Sequence, residues 1–137
     1  YIYRRGAVMV DRSSTSARAH SVRELKKLLT HHISVFIFPE GTFNETGNAL
    51  KSFYDGAFRI SIQTGTAIRP LLFLDNYDLM NYRSVLSLKP GKSRVIFLDE
   101  ISPEGFTLMD INIFKEKVYR EMDRKLREYR AAWISSR

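Results

Sequence analysis

The residues best suited to chemistry in this chain form the segment Phe-Pro-Glu-Gly-Thr at positions 38–42. This segment ends an apolar run, positions 33–38, that is typical of a buried strand. Its proline cannot donate to a sheet, and Gly41 allows backbone angles and a close ligand approach that a side chain would block. The strand tip would therefore present the carboxylate of Glu40, backbone N–H groups and the hydroxyl of Thr42. These groups could bind a ligand, but the same residues also occur in ordinary turns.

A second polar pair stands at the end of an upstream apolar strand. Positions 6–12 read Gly-Ala-Val-Met-Val-Asp-Arg, so this strand ends in Asp11 and Arg12. In α/β sheets, ligands bind at the carboxyl ends of strands, where both Arg12 and Glu40 fall. Arg12 is therefore either a surface residue that pairs with Asp11 or Glu40, or a residue of a binding site.

The elements that must position these residues alternate between strand and helix. The first half of the chain is predicted to form a strand at 1–10, a helix from the cap candidates Ser13–Ser16 to about Leu29, a strand at 34–38 and a polar loop at 44–48. A helix from Asp55 to Gln63, ended by Gly65, and a strand at 68–74 follow. The turn Lys89–Lys92 introduces a strand at 93–98, and a helix from Met109 to Tyr129 ends the series. This alternation predicts an α/β fold, with a mostly parallel mixed sheet flanked by helices.

Three segments, in this order, resemble the phospholipid/glycerol acyltransferase family, whose members acylate glycerol phosphate and lysophosphatidic acid. The family's Gly-x-x-x-x-Asp-Arg strand end matches positions 6–12, and its Phe-Pro-Glu-Gly-Thr block matches positions 38–42 without a change. Its apolar strand around a proline matches positions 67–73. The resemblance runs from about residue 1 to residue 100 and implies that residues 1–137 form a single acyltransferase domain.

The resemblance also implies roles for individual residues. Arg12 would hold the phosphate of the acceptor, for which its planar fork of donors is suited. Glu40 would help to position the glycerol moiety, with Gly41 and Thr42 as backbone and hydroxyl donors. Asp11 is expected to be structural, as a helix cap or as an orienter of Arg12.

Two departures from the family pattern bear on the acceptor. Phe43 stands where many members have an arginine that meets phosphate, and Tyr54 stands where many have a lysine. Lys51 and Arg69 lie nearby in the sequence and are candidates to replace these cations. Gly56, in the segment at 53–58 that opens a helical pattern, is a further candidate for substrate binding. The acceptor could therefore be a lysolipid whose head group is not a simple phosphomonoester.

The family's catalytic block, His-x-x-x-x-Asp, does not occur in this sequence. The residues five positions after His20, His31 and His32 are Leu25, Phe36 and Ile37. In the family the block lies upstream of the Gly-to-Arg strand, so we expect an N-terminally truncated domain whose histidine base and aspartate orienter lie upstream of Tyr1. We expect the fragment alone to be inactive, and the three histidines present to be non-catalytic.

The resemblance implies transfer of a fatty acyl group to a hydroxyl of a lysophospholipid or glycerol-phosphate-type acceptor, in phospholipid biosynthesis. The acyl donor would be a co-substrate, acyl-CoA or acyl-carrier protein, and no cofactor or metal is expected. The expected partners are the lipid acceptor, the acyl thioester and a membrane surface. The expected location is the cytoplasmic face of a membrane, with the protein either peripheral or anchored by a missing segment.

Composition leaves alternatives to this function. The absence of cysteine excludes disulfide scaffolds, cysteine metal sites and a cysteine nucleophile. The net charge of +7 favours an anionic partner: a membrane surface, a phosphorylated acyl carrier or nucleic acid. No nucleic-acid-binding motif accompanies the charge, and we expect no nucleic acid to bind. The basic residues of the C-terminal helix are most simply its solvated side. A non-catalytic lipid- or phosphate-binding module, an acyltransferase for a non-phosphate lysolipid, and a basic nucleic-acid-binding module are the alternatives.

Overall fold

The structure is a computed structural model that describes residues 15–46, 48–80, 86, 88–131 and 134. The predicted strand at 1–10, together with Asp11 and Arg12, lies outside the described residues. In chain order the elements are α1 (Thr15–Thr30), α2 (Gly56–Thr64), β1 (Leu71–Phe73), α3 (Asn76–Leu79), β2 (Val95–Phe97), a 3-10 helix (Leu108–Asp110) and α4 (Ile111–Glu128).

The structure confirms the three long predicted helices. The prediction succeeds at the ends of α2 and α4 because nearby residues determine where these helices end and begin. α2 ends as predicted at Gly65, which has a positive φ of 65° and donates its N–H to the carbonyl of Ser61. α4 is preceded by a capping box. In it the Thr107 hydroxyl accepts from the N–H of Met109 at 3.2 Å, and the Asp110 carboxylate accepts from the N–H of Thr107 at 2.9 Å.

The core lies between α2, α4 and the sheet. Phe58 of α2 and Phe114 of α4 are almost fully buried, and their rings meet edge to face with centroids 6.0 Å apart. Leu74 after β1 and Leu126 of α4 are equally buried. Val118 is also buried on the apolar face of α4, in the same core cluster as Phe58 of α2. α2 follows the segment at 38–42 in the chain.

The sheet consists, within the described residues, of β1 and β2 paired antiparallel, with Leu72 opposite Ile96. An isolated antiparallel bridge between Ile68 and Ile101 extends the pairing. The predicted mostly parallel mixed sheet is therefore not confirmed. The described part of the connection between β1 and β2 contains only the four-residue α3, and not a crossover helix of the kind that usually joins parallel strands.

The apolar run at 33–38 is the main correction to the predicted elements. It pairs with no strand in the part of the chain that the structure describes, and Phe36 and Phe38 are 59% and 66% exposed. Their rings contact each other edge to face, with centroids 4.9 Å apart. The prediction of a buried strand at 34–38 is therefore wrong here, because an apolar run does not by itself distinguish a buried strand from an apolar segment that lies open.

Candidate functional site

The segment at positions 38–42 forms a tight turn. The N–H of Gly41 donates to the carbonyl of Phe38 at 3.1 Å, and Gly41 has a φ of 70°, in the region where residues with a side chain are strained. The N–H of Tyr54 donates to the carbonyl of Pro39 at 2.9 Å and ties the turn to the residues before α2. Gly41 therefore provides the conformation of the turn, and its N–H donates within the turn.

Glu40 lies at the centre of this turn with a part-buried side chain. Its Oε2 accepts a hydrogen bond from the backbone N–H of Lys51 at 2.8 Å. Burial raises the pKa of Glu40 above the usual value, and the bond from the Lys51 N–H and the charge of the lysine oppose this shift without cancelling it. Glu40 is thus a carboxyl group held in a fixed position, and it binds a proton more readily than a glutamate in water.

The loop that brings Lys51 back to Glu40 is organised by one side chain, Asn44. Its Oδ1 accepts from the N–H of Thr46 at 3.1 Å and from the hydroxyl of the same threonine at 2.7 Å. Its Nδ2 donates to the carbonyl of Asn48 at 2.9 Å. The sequence predicts a polar loop here but not this role of Asn44, although an asparagine followed two residues later by threonine is a recognisable turn signal.

A cavity of about 1140 Å³ opens beside the turn. Glu40, Gly41 and Thr42 line it, and of the two candidate cations that the structure describes, Lys51 and Arg69, Arg69 also lines it. The rest of the wall is largely apolar and includes Phe36, Leu72, Phe73, Tyr77, Val118 and Met122. A polar edge on an apolar cavity is the arrangement that binds an amphiphilic molecule.

The other predicted residues take different places. The N–H of Lys51, not its ammonium group, contacts Glu40, and Gly56 opens α2 without lining the cavity. Arg69 also approaches Glu100, with 3.4 Å between Nη2 and Oε1. His20, His31 and His32 are exposed on or just after α1.

Among the described residues, no three or more His, Asp or Glu side chains come close enough together to hold a metal ion. No described helix is both long and apolar enough to cross a bilayer.

Comparison with known proteins gives consistent matches. A sequence model of the acyltransferase family matches residues 1–74. The chain is 31% identical over 118 residues to mouse 1-acyl-sn-glycerol-3-phosphate acyltransferase alpha, a match that covers 85% of this chain and 41% of the mouse protein. It is 30% identical over 118 residues to the chloroplastic 1-acyl-sn-glycerol-3-phosphate acyltransferase of Arabidopsis thaliana, covering 86% of this chain and 33% of that protein.

A solved structure agrees with these matches. The crystal structure of the 1-acyl-sn-glycerophosphate acyltransferase PlsC from Thermotoga maritima superposes with a TM-score of 0.68 and 25% identity, covering 85% of this chain and 46% of that one. The chain thus spans less than half the length of these relatives.

Proposed function

Because the chain belongs to the acyltransferase family, we propose that the protein transfers a fatty acyl group from an acyl thioester to the free hydroxyl of lysophosphatidate. The names of its relatives support this acceptor and a place in phospholipid biosynthesis. The observation that carries the proposal is the placement of Glu40 and Thr42 on the wall of a largely apolar cavity. Lysophosphatidate has this same division, with a polar glycerol phosphate attached to one acyl chain.

In the proposed reaction the acceptor hydroxyl oxygen attacks the carbonyl carbon of the thioester. A C–O bond forms, the C–S bond breaks, the hydroxyl proton passes to a base, and the thiolate leaves, which is easy because a thiol has a pKa of about 8.5. The base would be the histidine of the family's His-x-x-x-x-Asp block. The residues of this chain would bind and orient the acceptor, Glu40 through its carboxylate and Thr42 through its hydroxyl.

The acyl donor is proposed to be acyl-CoA or acyl-carrier protein. Both carry a phosphopantetheine thioester and are anionic, which suits a chain with a net charge of +7. We further propose that the protein works at the cytoplasmic face of a membrane, where lysolipids are available. Support for a membrane surface comes from the exposed aromatic side chains beside the cavity, Phe36 and Phe38.

The test uses the protein expressed from its complete coding sequence, with oleoyl-CoA as donor. We expect transfer to lysophosphatidate, and little transfer to lysophosphatidylcholine. The reverse preference would favour an acceptor whose head group is not a simple phosphomonoester, as Phe43 and Tyr54 suggest. Saturable binding of lysophosphatidate without any acyl transfer would instead favour a non-catalytic lipid-binding module.

A pair of arginine variants tests how the acceptor phosphate is bound. Arg12→Ala should raise the KM for lysophosphatidate by roughly tenfold to a hundredfold, as expected for loss of a charge-assisted hydrogen bond. Arg69→Ala removes a cation from the cavity wall itself. If Arg69→Ala raises this KM and Arg12→Ala does not, the phosphate site lies at Arg69 and the role that the resemblance assigns to Arg12 is wrong.

A further inference from the structure

The peptide group between Leu50 and Lys51 is held from both sides. Its N–H donates to Oε2 of Glu40 at 2.8 Å. Its carbonyl oxygen, that of Leu50, accepts from the hydroxyl of Tyr119 at 3.1 Å. Tyr119 lies on α4, far along the chain from this loop, so a single rigid peptide connects the C-terminal helix to the carboxylate of the candidate site.

Two further contacts hold Tyr119 in place over this peptide. Its ring packs against Phe53 with centroids 5.2 Å apart. One turn earlier on α4, Lys115 donates to Oδ1 of Asp55 at 2.6 Å, beside the start of α2. α4 therefore contacts the segment between Glu40 and α2 through Lys115 and through the ring and hydroxyl of Tyr119, and this hydroxyl bonds to the peptide that binds Glu40.

The physical link between the two bonds is the polarity of the peptide group. A carbonyl that accepts a hydrogen bond makes the N–H of the same peptide a stronger donor, and the planar peptide passes any rotation at one end to the other. We propose that Tyr119 is a positioning residue for Glu40, acting through the Leu50–Lys51 peptide to aim and strengthen the bond that holds the carboxylate on the cavity wall. This inference rests on the proposed function, in which Glu40 orients the acceptor.

Tyr119→Phe is the discriminating variant, because it keeps the ring that packs against Phe53 and removes only the hydroxyl. In the protein expressed from its complete coding sequence, we expect the kcat/KM for lysophosphatidate to fall about fivefold, the scale of one neutral hydrogen bond. The loss should lie mainly in the KM for the acceptor, and the KM for oleoyl-CoA should stay at its wild-type value. Tyr129→Phe, at the end of the same helix, is the matched control and should leave both values unchanged.

The pH profile gives a second readout. Burial raises the pKa of Glu40, and the Lys51 N–H lowers it, so a weaker N–H bond should raise this pKa further. The acid limb of kcat/KM for the acceptor should therefore move to higher pH in Tyr119→Phe. The charged groups that act here are Lys51 on Glu40, and Asp123, Glu40, Glu116 and Arg127 on Tyr119. All of them remain in the variant.

A double-mutant cycle separates positioning from a general structural role. With Glu40→Gln already present, Tyr119→Phe should change acceptor kinetics by less than twofold, because the carboxylate that it positions is gone. The same fivefold loss in both backgrounds would overturn the proposal. So would wild-type acceptor kinetics and an unshifted pH profile in the single variant, or an equal loss for donor and acceptor.

One measurement does not depend on acyl transfer. In proton–nitrogen NMR spectra of the protein with nitrogen-labelled lysine, the amide proton of Lys51 should move upfield in Tyr119→Phe and not in Tyr129→Phe. If the wild-type protein transferred no acyl group, the proposed function would fail, and this signal alone would decide the inference. An unmoved Lys51 signal would overturn it, and a moved one would support positioning of Glu40 for whatever ligand the cavity holds.

Discussion

Glu40 combines features that favour binding over stability. A part-buried carboxylate loses hydration, and the bond from the Lys51 N–H offsets only some of that cost, so its pKa stays above the usual value. A group of this kind contributes less to folding at neutral pH than a neutral residue of the same shape would. Because Glu40 lines the cavity, we attribute its presence to ligand binding and not to stability.

We therefore expect Glu40→Gln to make the protein more stable near neutral pH and less active. A raised pKa in the folded state means that the folded protein binds more protons than the unfolded one between the two pKa values. The contribution of Glu40 to the free energy of unfolding is thus full below about pH 4.3 and is lost as the pH rises through the folded pKa. Urea unfolding should show the advantage of glutamine shrinking on acidification. A glutamine variant less stable than wild type at neutral pH would contradict this account.

The turn itself depends on Gly41, and a second glycine provides a control. Gly41→Ala forces a side chain into a φ of 70°, which should cost about 1–2 kcal/mol of unfolding free energy. Gly56→Ala meets no atom within 4 Å of the new Cβ and lies in the first turn of α2, so its stability should be unchanged or slightly higher. Urea unfolding of both variants tests this, and equal losses would mean that the turn conformation is not the cause.

At the scale of elements, the side chain of Arg94, just before β2, forms a bridge to Asp75, just before α3, and to the end of α4. Arg94 donates through Nη2 to Oδ1 of Asp75 at 2.6 Å and through Nε to Oδ2 at 2.9 Å. The same guanidinium reaches the carbonyl of Tyr129 at 3.3 Å, just past the end of α4. It thereby pairs with carbonyls that the helix leaves unbonded, and it ties the end of α4 to the residues between β1 and β2.

The bridge gives a pH-dependent prediction. The bond to Arg94 lowers the pKa of Asp75, so its contribution to stability is present above the unfolded pKa, about 3.9, and is lost as the pH falls through the folded pKa. Asp75→Asn should therefore be less stable than wild type near neutral pH, with the difference fading in acid. Asp78→Asn, in the neighbouring α3, is the control. Thermal unfolding across pH checks both, and a constant difference at every pH would rule out the ion pair as its source.

The elements that could be predicted from the sequence are those fixed by nearby residues. α2 and α4 have periodic apolar faces and local caps, and both lie within a few residues of their predicted bounds. Sheet direction could not be predicted in this way, because it depends on how segments distant in the sequence pair, as β1 and β2 do. Nor could the exposure of Phe36, because burial is decided by distant segments.

The residues of the candidate site also fall into those that the local sequence indicates and those that it does not. Glu40, Gly41 and Thr42 are recognisable because the turn is a contiguous motif. The bond from Lys51 spans 11 residues and that from Tyr119 to Leu50 spans 69, and no periodicity or spacing rule indicates either partner. Long-range hydrogen bonds to backbone groups carry no signature in side-chain type, so the support of a site is harder to find in the sequence than its first contacts.

At the scale of the whole molecule, the charged face of α4 and the exposed rings of Phe36 and Phe38 lie in different places. The net charge is +7, yet many cations of α4 are paired along the helix, for example Arg124 with Glu121 and Glu128, and Arg127 with Asp123. This supports the interpretation of the α4 cations as its solvated side. Two exposed aromatic rings, those of Phe36 and Phe38, line the cavity. The apolar part of a membrane contact is therefore expected near the site and not along α4.

Vesicle binding tests this expectation. Vesicles that contain phosphatidylglycerol should bind the protein more tightly than pure phosphatidylcholine vesicles, and salt should weaken the difference because the Debye length is only about 10 Å at 0.1 M. Phe36→Ser should reduce the part of the binding that persists at high salt, because it removes an exposed ring beside the cavity. Met109→Ser, at a residue 95% exposed in the 3-10 helix before α4, is the matched control and should bind as the wild type does. Equal losses in the two variants would place the contact elsewhere, since only Phe36 borders the cavity through which a membrane lipid would have to enter.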